Sequence, residues 1–473
     1  MKLILCQIWA GVLLTVNVSA ESPVTITIGS EARGADIPAD FTGLSFGMKA
    51  LLADRAGSHF FSITNKPLVT LFQNLGISHL RMGGTSVESP PSTPIPGKTE
   101  IDNLFAFARA AGVQKVIYSL RLLETDAAQH CAATNAAIAK YIWDHYRAQL
   151  DCFALGNEPD LQRVYKQDFA ITNFSTYLSK WRAFAAAITN AVPDARFAGP
   201  DAGSGNVFWT IHFADAEKNS GLVTLVTEHF YVGGAGREVA SQQGIEAMLS
   251  PGWLAANQAL YDKMAVPVRS NGLPFRFTEA NDHYSGGVTD ASDTFAGALW
   301  ALEFLHWWAA HGASGVNFHN TQWVVNDVIT HDSNGHLITN PKGYGLKAFD
   351  LGGHGRSEPL TIANPEKLNV TAYAVRDPKQ HFVTIINKQN GAGARSLKTS
   401  VVARSRSSHA EMLMLSAPNG DVAAKTGVTL GGASISSDAP WRGNWTLLKP
   451  DTSGHCSVEV PAASAAIVRI SAE

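Results

Sequence analysis

The stretch Cys152-Phe153-Ala154-Leu155-Gly156-Asn157-Glu158-Pro159-Asp160 decides the fold, together with Pro274-Phe275-Arg276-Phe277-Thr278-Glu279-Ala280-Asn281. In each, a short apolar run of the kind that forms a buried strand ends in a glutamate, and a polar, Gly- or Pro-punctuated segment follows. A carboxylate at a strand end beneath a loop is where an α/β barrel keeps its chemistry. A lone glutamate in that position more often orders a loop or pairs with a cation. Two of them, the first preceded by Asn157, point instead to the pair of carboxylates needed to cleave a glycosidic bond.

Working outward, eight short apolar segments alternate with helical patterns. The expected strands are Phe41–Gly47, His79–Gly84, Lys115–Leu122, Cys152–Pro159, Arg196–Ala202, Leu225–Val232, Pro274–Ala280 and Gly315–Gln322. Helical periodicity covers Ile101–Ala111, Ala132–Tyr146, Phe174–Ala191, Trp253–Met264 and Thr294–Ala310, with Gly76, Gly112 and Gly312 as C-terminal stops. Eight strands with crossovers predict a (β/α)8 TIM barrel. Glu158 then ends strand four and Glu279 strand seven, so the two converge across the barrel.

Beyond about Leu351 the texture changes to short β-rich runs: Val370–Val375, Phe382–Asn387, Ser400–Ala403, Glu411–Leu415, Val458–Val460 and Ala466–Ile470. These predict a C-terminal antiparallel β-sandwich. Val24-Thr25-Ile26-Thr27-Ile28 alternates and is expected to pair into it. The expected division is a signal peptide over 1–20, an N-terminal strand region over 21–40, the catalytic barrel over 41–345 and the sandwich over 346–473.

The apolar run Leu3–Val18 behind Met1-Lys2, closing on Val18-Ser19-Ala20, has the form of a secretory signal, and a secreted chain is expected. Three sequons, at Asn173, Asn369 and Asn444, fit that compartment. The net charge of −3, with both signs interspersed, excludes a basic field for nucleic acid, and no later segment reaches a membrane-spanning length. Of four cysteines, Cys6 lies in the signal, leaving Cys131, Cys152 and Cys456, which permit at most one disulfide. No CxxC or HExxH pattern occurs, and His331-Asp332-Ser333-Asn334-Gly335-His336 reads as a polar turn, so neither metal nor cofactor is expected.

The mature chain resembles family 79 glycoside hydrolases, the β-glucuronidase and heparanase group. The matching residues are Asn157-Glu158-Pro159, Thr278-Glu279, Arg81-Met82-Gly83-Gly84-Thr85, His229-Phe230-Tyr231 and Tyr284-Ser285-Gly286-Gly287. Asn-Glu-Pro marks only the wider clan; the Tyr-Ser-Gly-Gly loop, five residues after the second glutamate, is specific to the family. The resemblance implies a retaining β-glucuronidase with Glu158 as acid/base and Glu279 as nucleophile. It further implies Asn157 on the sugar 2-hydroxyl and Tyr231 orienting Glu279. His229 and Gly84 are implied as sugar contacts, and Tyr284, Ser285 and Gly286 as the seat of the uronate carboxylate. Such a seat is neutral, built from a hydroxyl and successive amides, and spares the nucleophile a neighbouring arginine. Gly47 stands where relatives carry an acidic residue on the 4-hydroxyl, which suggests room for a 4-O-substituted glucuronate. The expected partner is a β-glucuronide-containing glycan or proteoglycan, and a monomer is expected. The competing readings are a clan glycosidase on neutral sugars, a heparanase-like endo-enzyme and a non-catalytic carbohydrate-binding relative.

Overall fold

A computed structural model describes residues 24–29, 34–89, 94–123, 131–161, 171–402 and 409–471. Eight parallel strands close a barrel in chain order: Thr42–Gly47, His79–Gly83, Lys115–Leu120, Leu150–Leu155, Phe197–Ala202, Val223–Tyr231, Phe275–Asn281 and Val316–His319. Every expected strand is present. Strands four and eight end four and three residues earlier than expected because their last residues leave the extended conformation. Gly156 (φ 84°) and Glu158 (φ 43°) turn the chain out of strand four. After strand eight, Asn320 Oδ1 accepts the amides of Val328 and Ile329 at 2.9 and 2.8 Å and folds the chain back.

The surrounding helices follow their sequence signals. Lys66–Leu75 begins at Asn65, whose Oδ1 accepts the Leu68 amide, and ends at left-handed Gly76. Phe295–Ala310 is buried on nearly every side, as its apolar sequence demands, because the barrel packs on one flank and the second domain on the other. That contact is also ionic: Lys388 Nζ reaches both carboxylate oxygens of Glu303 at 2.7 and 2.8 Å, and Thr371 Oγ1 donates to Glu303 Oε1 at 2.6 Å.

The C-terminal domain stacks two sheets over an apolar core of Val24, Ile26, Val383, Ile385, Val401, Val458 and Val468. Val24–Ile28 does join it, antiparallel to Leu360–Ala363 and parallel to Leu397–Val402. Ala403, at the end of one expected strand, lies outside the described residues, as does the whole expected signal segment. The division drawn from sequence at 345/346 falls inside the helix Pro341–Gly352, which packs on Phe295–Ala310 and so belongs to the barrel layer. Cys131, Cys152 and Cys456 are buried, and Cys152 and Cys456 are free thiols.

Candidate active site

The C-terminal ends of the strands gather a buried cluster of charges around Glu158 and Glu279. An oxygen of each carboxylate and a ring nitrogen of His229 all lie within 4.8 Å of one another. Glu158 stands just past strand four in a left-handed conformation, its amide donating to the Asp201 carbonyl at 2.9 Å. Asp201, next to last in strand five, is itself left-handed (φ 55°). Backbone strain at two adjoining non-glycine residues is a cost that folds tolerate chiefly where a side chain must be aimed.

Glu279 is held from three sides. Arg81 Nη1 donates to its Oε2 at 2.9 Å, Tyr231 Oη donates to its Oε1 at 2.7 Å, and His319 Nδ1 lies 3.5 Å from Oε2. Burial alone would raise its pKa. The positive charges of His319, His229 and Arg81 and the Tyr231 hydrogen bond outweigh burial, so the carboxyl is held well below the usual range and stays ionised. Burial and the Glu279 charge in turn keep the Tyr231 phenol protonated, as a donor.

Arg81 is the hub. From strand two its guanidinium also donates to Ser45 Oγ (3.1 Å), Asn157 Oδ1 (2.8 Å) and Asp201 Oδ2 (2.8 Å), which ties strands one, two, five and seven and the loop after strand four. Gly83 makes this possible, since a Cβ there would sit 2.4 Å from Arg81 Cζ. The expectation that no arginine adjoins Glu279 is therefore wrong. A carboxylate buried at this depth needs a charged partner, and the neutral loop at Tyr284 does not supply one.

His229, expected to touch the sugar, is instead fully buried beneath the pair. Its Nδ1 lies 3.0 Å from Glu158 Oε1, and Nε2 lies 3.4 Å from Arg81 Nη2. Burial would lower its pKa, but the Glu279 charge and the Glu158 hydrogen bond outweigh burial and raise it, so His229 holds a proton on Nδ1, facing Glu158. This set does not suit a metal ion, although its spacing would accept one. Arg81 and Tyr231 already occupy both Glu279 oxygens, and the His229 nitrogen facing the carboxylates carries hydrogen. A second acidic cluster, Asp40, His79 and Asp151, lies at the strand starts, the opposite end of the barrel.

The loop after strand seven has the conformation the sequence led us to expect. Ser285, Gly286 and Gly287 have φ of 61°, 89° and 89°, and among the described residues their three amides have no hydrogen-bond partner. Tyr284 is half exposed above them, its ring edge-on to Tyr231. The loop is supported from below by a buried cation. Lys342 Nζ donates to Asn281 Oδ1 (2.5 Å), the Asn326 carbonyl (2.9 Å) and Asp282 Oδ2 (3.3 Å). Gly84 (φ 67°) is packed where a Cβ would meet Gly47 Cα at 3.1 Å and His319 Cε1 at 3.5 Å. A Cβ on Gly47 would meet only Ser86 Oγ, at 3.0 Å. Asn157 is buried, with its Oδ1 turned to Arg81.

Sequence reasoning missed Asp201, His319 and Lys342 and misjudged Arg81. For Asp201 and His319 a signal existed: each is a polar residue at the end of an apolar strand, as Glu158 is. For Lys342, within a helix that follows a hairpin, there was none.

Residues 372–467 match the glycosyl hydrolase family 79 C-terminal beta domain. The chain carries the C-terminal domain of glycosyl hydrolase family 79. The kinship expected from the sequence is thus borne out, and with it the class of enzyme, a glycosidase. No curated protein sequence matches the chain. Among solved structures, a 4-O-α-L-rhamnosyl-β-D-glucuronidase from Fusarium oxysporum superposes with a TM-score of 0.74 at 16% identity, over 94% of this chain and 99% of that one. An α-L-arabinofuranosidase from Thermotoga maritima gives 0.66 at 13%, over 95% and 100%. A family 30 endoxylanase from Clostridium papyrosolvens gives 0.58 at 16%, over 95% and 100%. At these identities the likeness is one of fold, barrel and appended β domain together.

Proposed function

We propose that this family 79 protein is a secreted retaining β-glucuronidase that works by double displacement. Glu158 donates a proton to the leaving oxygen while Glu279 attacks the anomeric carbon; Glu158 then takes a proton from the water that releases the sugar. Support for retention comes from carboxylate oxygens within 4.8 Å of each other. Retaining enzymes hold their carboxyls about 5–5.5 Å apart, whereas inverting ones need roughly 6.5–9.5 Å for an intervening water. Asn157, fixed by Arg81, is assigned to the 2-hydroxyl, and Tyr231 to orienting Glu279.

The observation that carries the substrate assignment is the run of three unpartnered amides at Ser285, Gly286 and Gly287. Ser285 is exposed, Gly286 partly buried and Gly287 buried, so an anion can reach these amides from solvent, and a uronate carboxylate on C5 is an anion at the right end of the ring. The lack of a side chain at Gly47 supports a substituent on O4, in keeping with the name of the Fusarium neighbour. Secretion rests on the Met1–Ala20 segment. Rates on an aryl β-glucuronide and the matching aryl β-glucoside test the assignment. A strong preference for the glucuronide is expected; preference for the glucoside would overturn it.

A further inference from the structure

Past strand eight the chain makes a locked loop over residues 320–328. Asp327 accepts the amides of Thr321 and Val324 at 2.6 and 3.0 Å, and Asn340 Nδ2 donates to the Asp327 carbonyl at 2.9 Å. This loop lies directly against the amide cradle. The Asn326 amide donates to the Gly286 carbonyl, and a Cβ on Gly286 would stand 3.1 Å from Val324 Cγ1.

On that loop Trp323 is 76% exposed, more than any other large hydrophobic side chain among the described residues. A single exposed aromatic is ordinary. This one is braced: its ring stacks on His331 with centroids 4.8 Å apart and planes within 15°, and His331 belongs to the hairpin Ile329–His331 and Leu337–Thr339. An indole fixed by a second ring, on a loop pinned by Asp327 and Asn320 and abutting the site, is a flat apolar face held ready for a flat apolar partner. The C–H face of a pyranose is such a partner.

Barrel order gives the side on which that sugar sits. Glu158, on the strand-four side, serves the leaving group, so the aglycone departs there. Strand eight lies between strand seven, which carries the cradle, and strand one, which carries Gly47. A glucuronate whose carboxylate occupies the cradle turns its neighbouring O4 toward this side, where Gly47 carries no side chain. We propose that Trp323, braced by His331, is the stacking platform for a neutral sugar joined to O4 of the glucuronate. This deepens the proposed function and rests on it: the enzyme would take the disaccharide end of a glycan in preference to a bare glucuronate.

The test uses the full chain and two substrates, 4-nitrophenyl β-D-glucuronide and the same compound with an α-L-rhamnosyl group on O4, followed by nitrophenol release. Trp323→Ala should lower kcat/KM on the substituted substrate by roughly tenfold or more, the size of one lost apolar contact, and leave the plain substrate within about twofold. His331→Ala should move the same ratio in the same direction by less, and Trp323→Phe should restore part of it. Equal effects on both substrates, or none on either, would overturn the proposal; so would a parent enzyme that cleaves the plain glucuronide and rejects the substituted one, although the glucuronidase reading would then stand. A parent that cleaves neither removes that reading and this inference together.

Discussion

Arg81 Nη1 donates to Glu279 Oε2 at 2.9 Å, while the same guanidinium holds Asp201 at 2.8 Å. One fully buried cation thus offsets half of the charge of two buried carboxylates and fixes the geometry of the assigned nucleophile. An arginine beside a nucleophile lowers its basicity. What it provides here is an ionised, immobile carboxylate in a dry site, and burial of Glu279 without it would favour the protonated, idle form.

Replacing Arg81 by Met should therefore cost stability and shift the pH profile. Two buried carboxylates lose their partner, a loss of about 3–5 kcal/mol by analogy with other broken buried pairs, read by denaturant unfolding. Glu279 and Asp201 both have pKa values lowered in the fold, so their contribution is fully present above the ordinary carboxyl pKa of about 4 and is lost as pH falls below it. In the variant the Glu279 pKa should rise, moving the acidic limb of kcat/KM to higher pH. An unchanged limb would mean that His319 and His229 alone keep Glu279 ionised.

Much of this was legible in the chain. All eight strands announced themselves as apolar runs closed by turn residues, and the two glutamates stood out because each follows such a run. The Arg81 hub was not legible as a hub, because its partners Ser45, Asn157, Asp201 and Glu279 are scattered over more than two hundred residues and only barrel closure brings them together. His229 was legible as a site residue but not in its orientation: in a nine-residue strand with a register shift between Glu228 and His229, alternation alone does not say which way its ring turns. The Pro341–Gly352 helix, rich in glycine and lysine, hid the domain boundary.

Tyr231→Phe removes the donor to Glu279 Oε1 with no change of shape. A hydrogen bond to a charged group is worth about 1.5–3 kcal/mol, so kcat should fall roughly 10- to 100-fold with the fold intact. A variant as active as the parent would make Tyr231 a packing residue.

The division of labour between the glutamates predicts opposite chemical rescues. Glu158→Ala should release a burst of a good aryl leaving group, then stall, and azide should restore turnover with a β-glucuronyl azide product. Glu279→Ala should show no burst, and azide should give the α-azide, standing in for the missing carboxylate. Interchanged products would reverse the two roles.

Between the domains, Lys388→Met strips the buried Glu303 of its cation. Unfolding should become easier by about 3–5 kcal/mol while KM for an aryl β-glucuronide stays near the parent's, since the pair lies outside the site. Restoration by Glu303→Gln in the same chain would identify the unpaired carboxylate as the cause.

The central claim, a double displacement by Glu158 and Glu279 on a β-glucuronide, is tested most directly by the anomer first formed. Proton NMR of an aryl β-glucuronide digest, recorded before mutarotation, should show the β-anomer of the released sugar appearing first and the α-anomer growing in later. The α-anomer appearing first would mean inversion, and the close pair of carboxylates would not be acting as assigned.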